Sequence, residues 1–246
     1  MQSNDITHAI ELIKNAKYLT ALTGAGISTL SGLADFRGEP NPIWERYPQE
    51  KVFSAEYFRE DPKMFYDFLR EISAGNPKPN IAHLALKKLE DMGLLKAVIT
   101  QNIDGLHQAA GSKKVHELHG SIYRDFCVEC GKEYGLKEIL EKIRGEKVPR
   151  CDCKGKAVIR PGVVFFGESL PEEEFELSVY SASRSDVMIV AGTSLAVQPA
   201  AYMPEYTIKN NGKIIMVNKG YTHLDERADF IFDDISDFFE ELEEGL

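Results

Sequence analysis

The pattern of apolar residues predicts helices that alternate with strands. Near the N-terminus, Ile6, Ile10 and Ile13 recur at helical spacing, and Ser3 or Asn4 is available to cap the helix. The predicted helices cover residues 5–16, 80–92, 172–183, 199–210 and 235–242. Helices of this length are typical of the layers that cover a sheet.

Continuous apolar runs between these helices predict strands. The predicted strands cover residues 18–23, 96–100, 186–192, 213–218 and 229–232. Unbroken apolar runs are typical of a parallel sheet that is covered on both faces. Strands that alternate with helices therefore predict an α/β fold with a doubly wound parallel sheet.

Two regions interrupt this alternation. Residues 39–79 are rich in proline, which predicts loops and short helices without a regular layer. Residues 121–160 contain all four cysteines. A chain of 246 residues has room for one large domain, or for one domain and a small module.

Composition and charge exclude several classes of protein. The chain is 43% hydrophobic and 28% charged, as is ordinary for a soluble globular protein. No apolar run reaches the ~18 residues of a membrane span, and the N-terminus lacks a secretory signal, so a cytoplasmic protein is expected. With 29 basic and 39 acidic residues, the net charge of −10 disfavours nucleic-acid binding and suits a lysine-bearing partner.

A glycine-rich turn follows the first predicted strand. Residues 24–26, Gly-Ala-Gly, stand where a Rossmann fold binds the pyrophosphate of a dinucleotide. Thr29 replaces the third glycine of the G-x-G-x-x-G motif, so a tight turn without a ligand is the alternative. Phe36 and Arg37 follow, and they would supply an aromatic face and a phosphate-binding guanidinium beside a cofactor.

Polar residues mark the end of the predicted strand 96–100. The sequence Thr-Gln-Asn-Ile-Asp at residues 100–104 supplies amide donors and acceptors together with a carboxylate. Ligands of open α/β sheets bind beyond the carboxyl ends of the strands, and a carboxamide such as that of nicotinamide needs this mixture. A turn that caps the following helix explains the same residues equally well.

Two histidines lie in the stretch before Gly120. His116 and His119 are three residues apart in an extended segment, whereas a zinc protease needs two histidines four apart on a helix. That class of enzyme is therefore excluded. One of the two histidines is a candidate general base, because the ordinary pKa of histidine, ~6.5, suits proton transfer at neutral pH.

The four cysteines form two close pairs. Twenty residues separate the pair Cys127 and Cys130 from the pair Cys151 and Cys153. Four thiolates in a chain without a secretory signal predict one structural zinc ion. The Cys-x-Cys spacing of the second pair is shorter than the usual Cys-x-x-Cys, and a redox pair or free thiols are the alternatives.

In their order and spacing these motifs resemble the sirtuin family of NAD-dependent protein deacylases, over residues ~5–240. The motifs that carry the resemblance are residues 24–28, 31–37, 100–104, 119–120, 163–168 and 192–194, Asn218 and the two cysteine pairs. The resemblance implies a Rossmann-like domain from residues 1–38, 80–120 and 161–246, with a cofactor loop and helical insertion at 39–79 and a zinc-binding module at 121–160. It also implies NAD as co-substrate, one structural zinc ion and acetyl-lysine-bearing proteins as substrates.

The resemblance assigns residues to the implied site. His119, which precedes Gly120, and Asn102 are the implied catalytic residues. The backbone of the substrate would pair with an edge that includes Val163, Phe165, Phe166 and Gly167. The implied cofactor-binding residues are Gly24, Ala25, Gly26, Thr29, Phe36, Arg37, Gln101, Asn102, Ile103, Asp104, His119, Gly192, Thr193, Ser194, Asn218 and Ile235.

The implied reaction transfers the acetyl group of acetyl-lysine to ADP-ribose and releases nicotinamide. The acetyl oxygen attacks C1′ of the nicotinamide ribose and expels nicotinamide. His119 then takes a proton from a ribose hydroxyl, which attacks the imidate carbon. Water completes the release of lysine and O-acetyl-ADP-ribose. Phe36 would cover the reacting sugar and exclude water from it.

One departure within the family bears on the acyl group. Desuccinylating sirtuins place an arginine three residues after a tyrosine, but here Leu69 follows Tyr66 at that distance and Arg70 is one position off. A buried carboxylate without a partner is costly, which favours acetyl over succinyl. Other acyl-lysines, mono-ADP-ribosyl transfer in the same site and a non-enzymatic zinc-ribbon adaptor are the alternatives. The missing third glycine disfavours an NAD-dependent oxidoreductase, and the sequence leaves the substrate protein and the oligomeric state open.

Overall fold

A six-stranded parallel sheet forms the centre of the molecule. The computed structural model describes residues 3–38, 40–145 and 148–246. Within them the strands are β1 (Leu19–Thr23), β2 (Leu95–Thr100), β3 (Val115–Glu117), β4 (Gly120–Cys127), β5 (Glu133–Tyr134), β6 (Ile159–Val163), β7 (Val187–Ala191), β8 (Lys213–Val217) and β9 (Phe230–Phe232). The large sheet has the order β3-β2-β1-β7-β8-β9, and a small antiparallel sheet has the order β5-β4-β6.

Helices lie on both sides of the large sheet and beside the small one. The helices are α1 (Ser3–Asn15), α2 (Pro42–Arg46), α3 (Gln49–Val52), α4 (Ala55–Glu60), α5 (Pro62–Ala74), α6 (Ile81–Asp91), α7 (Leu106–Ala109), α8 (Leu136–Gly145), α9 (Glu172–Arg184), α10 (Met203–Lys209) and α11 (Ile235–Gly245). In the part of the chain that the structure describes, none of them is both long and apolar enough to cross a bilayer.

The helical layers explain the continuous apolar runs. On β7, Val187 and Ile189 contact the core under α1, α6 and α11, while Met188 and Val190 contact the core under α9 and α10. Alternate residues of a strand point to opposite faces, so all five residues of this strand are buried. The predicted doubly wound parallel sheet is confirmed.

The proline-rich insertion and the cysteine region share a second hydrophobic core. Phe65 and Phe68 of α5 contact the ring of Phe53, and Phe65 also contacts Phe165, which follows β6. Ile139 of α8 is buried in the same cluster. The described residues of 40–79 and 121–160 are therefore packed against each other in this second core.

Helix α5 is longer than the short helices predicted for residues 39–79. Its thirteen residues follow Asp61, whose side chain accepts a hydrogen bond from the N–H of Lys63 at 3.1 Å. Pro62 takes the first helical position, where no backbone N–H is needed, and Pro42 does the same in α2. Pro42 and Pro62 thus begin helices, and the prediction of loops and short helices did not anticipate the length of α5.

Two other helix starts differ in detail from the prediction. The segment 199–210 is divided into a 3-10 turn at Ala200–Tyr202 and α10, because Pro204 is accommodated in the first turn of an α-helix. Helix α1 already includes Ser3 and Asn4, so the two predicted capping residues lie inside the helix and not before it.

Candidate active site

The glycine turn after β1 packs directly against the turn after β7. The N–H of Gly26 donates to the carbonyl oxygen of Gly192 at 2.8 Å, and that of Gly24 donates to Ala191 at 3.1 Å. A Cβ on Gly24 would lie 2.7 Å from the oxygen of Gly192, and one on Gly26 would lie 2.8 Å from it. The two glycines therefore allow two loops to meet at the carboxyl edge of the sheet, and residues Ala25–Ser31 continue as a 3-10 helix.

Gly192 is expected to tolerate substitution much less than a glycine of similar conformation elsewhere. Its φ is +63°, and an added Cβ would lie 2.2 Å from the backbone nitrogen of Ile27. Gly93 has a φ of +73° with nothing within 4 Å of the added atom. Gly93→Ala should lower the free energy of unfolding by about 1–2 kcal/mol, from backbone strain alone. Gly192→Ala should lower it by about 3 kcal/mol or more, because the clash adds to the strain. Equal losses in denaturant titrations would contradict this account.

Side chains from neighbouring strand ends meet at the same edge. Gln101, after β2, donates from Nε2 to Thr193 Oγ1, after β7, at 2.8 Å. Arg37 donates to Ser194 Oγ at 3.3 Å. Because parallel strands end on one side of a sheet, residues far apart in the sequence form one polar surface.

Ser28 joins Asn102 to Asp104. Asn102 Nδ2 donates to Ser28 Oγ at 3.2 Å, and Ser28 Oγ donates to Asp104 Oδ2 at 2.8 Å. The N–H of Leu106, the first residue of α7, donates to the other carboxylate oxygen at 2.9 Å, so Asp104 also forms the turn before α7 that the alternative interpretation expected. Burial raises the pKa of Asp104, and the two hydrogen bonds partly oppose that rise. The sequence prediction did not include Ser28 among the site residues, although it lies two residues after Gly26.

His119 lies after β3, and its ring contacts the backbone of Gln101. The Nδ1 atom is 2.9 Å from the carbonyl oxygen of Gln101, and since a carbonyl only accepts, Nδ1 carries the proton. The Nε2 atom of the neutral ring is therefore able to accept a proton. Burial lowers the pKa of His119, and the bond to Gln101 raises it in part. His116 instead faces α9, with Nδ1 3.7 Å from Glu174 Oε2.

Phe36 is held by aromatic contacts beside this edge. Its ring centroid is 5.2 Å from that of Trp44 and 5.4 Å from that of Phe53. Gln49 donates to its carbonyl oxygen at 3.1 Å. The residue as a whole stays 36% exposed, so Phe36 remains partly available to a bound molecule.

The predicted substrate edge at residues 163–167 adjoins both His119 and the second core. The N–H of Val164 donates to the carbonyl oxygen of His119 at 2.8 Å, and the N–H of Phe166 donates to that of Phe53 at 2.7 Å. Both donors are thus bonded within the chain, while the side chain of Phe166 is half exposed. Pairing of this edge with a substrate stays a prediction that uses its other backbone groups.

Several predicted cofactor residues make local contacts. Thr29 Oγ1 donates to the carbonyl oxygen of Gly26 at 2.9 Å. Asn218, at the end of β8, donates from Nδ2 to Gly220 at 2.6 Å. Ile103 packs against the second core, and Ile235 begins α11 and packs against the core of the large sheet. The cofactor roles of these residues and of Ala25 stay predictions.

The four cysteine sulfurs converge on one point. All four lie within 4.8 Å of one another, with 3.9 Å between Cys127 and Cys153 and 3.6 Å between Cys130 and Cys151. Ligands about 2.3 Å from a tetrahedral zinc ion are about 3.8 Å apart, so the site fits zinc despite the Cys-x-Cys spacing. The hydroxyl of Tyr134 donates to Cys151 Sγ at 3.1 Å.

The polar surface at the carboxyl edge of the sheet suits a nucleotide, and the four cysteine sulfurs suit a structural metal. Together they are typical of a nucleotide-binding α/β protein with a zinc module. Comparison with known proteins narrows this class. The model of the Sir2 family matches residues 24–199, and the chain belongs to this family. The resemblance to the sirtuins is thereby confirmed.

Similar proteins are found in bacteria and archaea. The chain is 45% identical over 241 residues to the NAD-dependent protein deacetylase of Thermotoga maritima, which covers 96% of each chain. It is 46% identical over 218 residues to the NAD-dependent protein deacylase of Thermococcus kodakarensis, which covers 86% of this chain and 83% of that one. A solved structure of Sir2 with a p53 peptide and NAD+ has a TM-score of 0.89 at 42% identity over 97% of both chains.

Proposed function

We propose that this chain is an NAD-dependent protein lysine deacetylase. The observation that carries the proposal is the bonding of His119. Its ring donates to Gln101, beside Asn102 and Asp104, while its carbonyl oxygen accepts from Val164 of the predicted substrate edge. His119 thus supplies a proton acceptor and contacts both the polar strand ends and the predicted substrate edge. The names of the relatives from Thermotoga maritima and Thermococcus kodakarensis support the same activity.

The chain's own residues have distinct parts in this proposal. NAD, when bound, supplies a ribose carbon from which nicotinamide leaves and to which the acetyl oxygen adds. Asn102 and Asp104, fixed by Ser28, hold the nicotinamide end, and His119 accepts a proton from a ribose hydroxyl at Nε2. Phe36 covers the reacting sugar and excludes water.

The zinc ion has a structural part in this proposal. All four cysteines would be its ligands, so no open position remains for a substrate or a water molecule. Among the described residues the four cysteines form no disulfide, which is typical of a reducing compartment, and the enzyme is proposed to act in the cytoplasm.

The experiment that tests the activity follows an acetyl-lysine peptide with and without NAD. Peptide mass and released nicotinamide are measured together. Loss of acetyl only with NAD, matched one to one by nicotinamide, is the expected result. Nicotinamide release with ADP-ribose retained on protein would replace the proposal with ADP-ribosyl transfer, and an absence of both products would refute it.

We expect the enzyme to prefer acetyl-lysine over succinyl-lysine. The hydroxyl of Tyr66 donates to the carbonyl oxygen of Ile159, Leu69 is fully buried, and Arg70 pairs with Asp67 at 2.7 Å. The Tyr66 hydroxyl is therefore already bonded within the chain, and Leu69, at the position of the expected arginine, cannot pair with the carboxylate of a succinyl group. The kcat/KM of a succinyl-lysine peptide should be at least about 100-fold below that of the acetyl peptide.

A propionyl-lysine peptide is the matched control, since it is longer than acetyl but uncharged. Its kcat/KM should fall much less than that of the succinyl peptide, because one added methylene in an apolar pocket is worth only about 1–3 kcal/mol and a buried carboxylate without a partner costs more. Succinyl turnover equal to propionyl turnover would contradict the argument from charge.

A further inference from the structure

Two buried histidines lie behind the candidate active site. His83 is on α6 and His107 is on α7, and neither side chain is accessible to solvent. Their ring centroids are 4.8 Å apart. Neither histidine is among the residues that the family resemblance assigns to the reaction.

The bonding partners of the two rings determine which nitrogen carries the proton. The N–H of Asn80 donates to His83 Nδ1 at 3.4 Å, so the proton of His83 is on Nε2. Thr23 Oγ1 gives its one proton to Thr100 Oγ1 at 2.8 Å, so the contact of 2.9 Å between Thr23 and His107 requires His107 Nε2–H to donate. Burial lowers the pKa of His83 to about 4 and that of His107 to about 3, so both rings are neutral at pH 7.

The hydrogen bonds continue from His107 to the nicotinamide end of the site. Thr100 Oγ1, which accepts from Thr23, also accepts the backbone N–H of Asn102 at 3.1 Å. Three hydrogen bonds thus connect the ring of His107 to the backbone of Asn102 across the ends of β1 and β2. The side chain of Asn102 is the one that binds Ser28.

Asn80, which donates to His83, also bonds to the 3-10 helix that follows the glycine turn. Asn80 Nδ2 donates to the carbonyl oxygen of Ile27 and to Ser31 Oγ, both at 2.8 Å. Both acceptors belong to the 3-10 helix that follows the glycine turn. The two histidines therefore lie between the segment that carries Asn102 and the segment that carries the cofactor loop.

Stability alone does not explain two imidazoles at this position. Among the described residues, His83 Nε2 and His107 Nδ1 have no hydrogen-bond partner. A buried polar atom without a partner costs about 1–3 kcal/mol, whereas an apolar pair of similar volume carries no such cost. The other nitrogen of each ring forms a hydrogen bond, His83 with Asn80 and His107 with Thr23. An apolar pair could not form these two bonds.

We propose that His107, supported by His83, is a positioning residue that holds Asn102 in place for NAD through hydrogen bonds to Thr23 and Thr100. The proposal rests on the proposed deacetylase function. Neither histidine touches a substrate in this account. The effect of His107 on the reaction passes through the placement of the Asn102 backbone.

The test compares two substitutions of His107. Phenylalanine keeps a ring but removes the donor, whereas the side-chain amide of glutamine can place an N–H near the position of Nε2. His107→Phe should lower kcat/KM for NAD about tenfold, which is the value of one hydrogen bond, and should weaken inhibition by nicotinamide by a similar factor. The KM for the peptide should change less than about twofold, and His107→Gln should recover most of the lost kcat/KM.

A double-mutant cycle with Thr23 keeps the test informative if His107→Phe does not fold. Thr23→Val removes the middle hydroxyl at nearly constant shape and should cause the same defect. Combining it with His107→Phe should add little further loss, because both changes break one chain of hydrogen bonds. The proposal would be overturned if the folded single variants had native kinetics toward NAD, or if the losses in the double variant were additive. It would also be overturned by an equal rise in the KM for the peptide, or by a His107→Gln variant as defective as His107→Phe.

Measurements on the native chain separate this proposal from the proposed function. A native chain that does not deacetylate the peptide would refute the function. Calorimetric titration measures the affinity for NAD and requires no turnover. It can therefore compare His107→Phe, His107→Gln and the native chain even if the native chain does not deacetylate the peptide. Native affinity for NAD in a folded His107→Phe variant would overturn the positioning role.

Discussion

His119→Ala is expected to lower the kcat for deacetylation by at least about 100-fold, because a general base typically contributes 10²–10⁴-fold to a rate. The substitution removes the nitrogen that accepts the ribose proton, and the bond from Nδ1 to Gln101 shows how that nitrogen is oriented. His119 acts after nicotinamide has left in the proposed sequence of steps. Release or exchange of nicotinamide should therefore be reduced much less than deacetylation, and both products can be followed in one assay.

His116→Ala is the matched control, because His116 lies three residues earlier and faces Glu174 and Ser181. Its kcat should stay within about threefold of the native value, as expected for a residue outside the site. Equal losses for both variants would show a general effect on this segment. A His119→Ala variant with native turnover would remove His119 from the mechanism.

The assignment of His119 as the general base determines how kcat/KM depends on pH. Only the neutral ring accepts a proton, so kcat/KM should rise with pH through the pKa of His119 and then level off. Because burial lowers this pKa, the half-maximal rate should lie below the ordinary histidine value of ~6.5. A midpoint above that value in the native chain would contradict the assignment.

Cys151→Ser is expected to remove the zinc ion and to unfold the small module. Binding of a structural zinc ion contributes on the order of 10 kcal/mol to the folding of small zinc domains, and four thiolates converge here. The second core includes Cys127 and Cys151 as well as Phe165, so its loss should also disrupt the predicted substrate edge. Metal analysis should give one zinc per native chain and none in the variant, together with a large fall in Tm.

Asp152→Ala is the control for this substitution. Asp152 lies between Cys151 and Cys153, but its side chain is exposed. Its ion pair with Lys142 is long, at 3.5 Å. Zinc content and Tm should stay close to native, since exposed ion pairs contribute little to stability. A native chain that is stable without zinc, or a disulfide found by thiol titration, would favour the redox alternative for the four cysteines.

Local pattern was sufficient to predict the class of fold. The strand that became β7 is continuously apolar because helices cover both of its faces, and burial of this kind is visible in composition alone. The polar stretch at residues 100–104 and the two cysteine pairs were also recognisable, since each is short and local. Helix α5 was underestimated, because prolines that begin helices resemble prolines in loops until the capping residue is considered.

The sequence by itself determined the parallel sheet, the four thiol ligands and the identity of the polar residues at the strand ends. Only the tertiary structure decided how those residues act together. Ser28 joins Asn102 across 74 positions of the chain, and His107 reaches Thr23 across 84. No periodicity encodes such contacts, because they arise where separate strands end at one edge of the sheet. The protonated nitrogen of His119 was likewise decided by a carbonyl group 18 residues away, which only the folded chain brings within 2.9 Å.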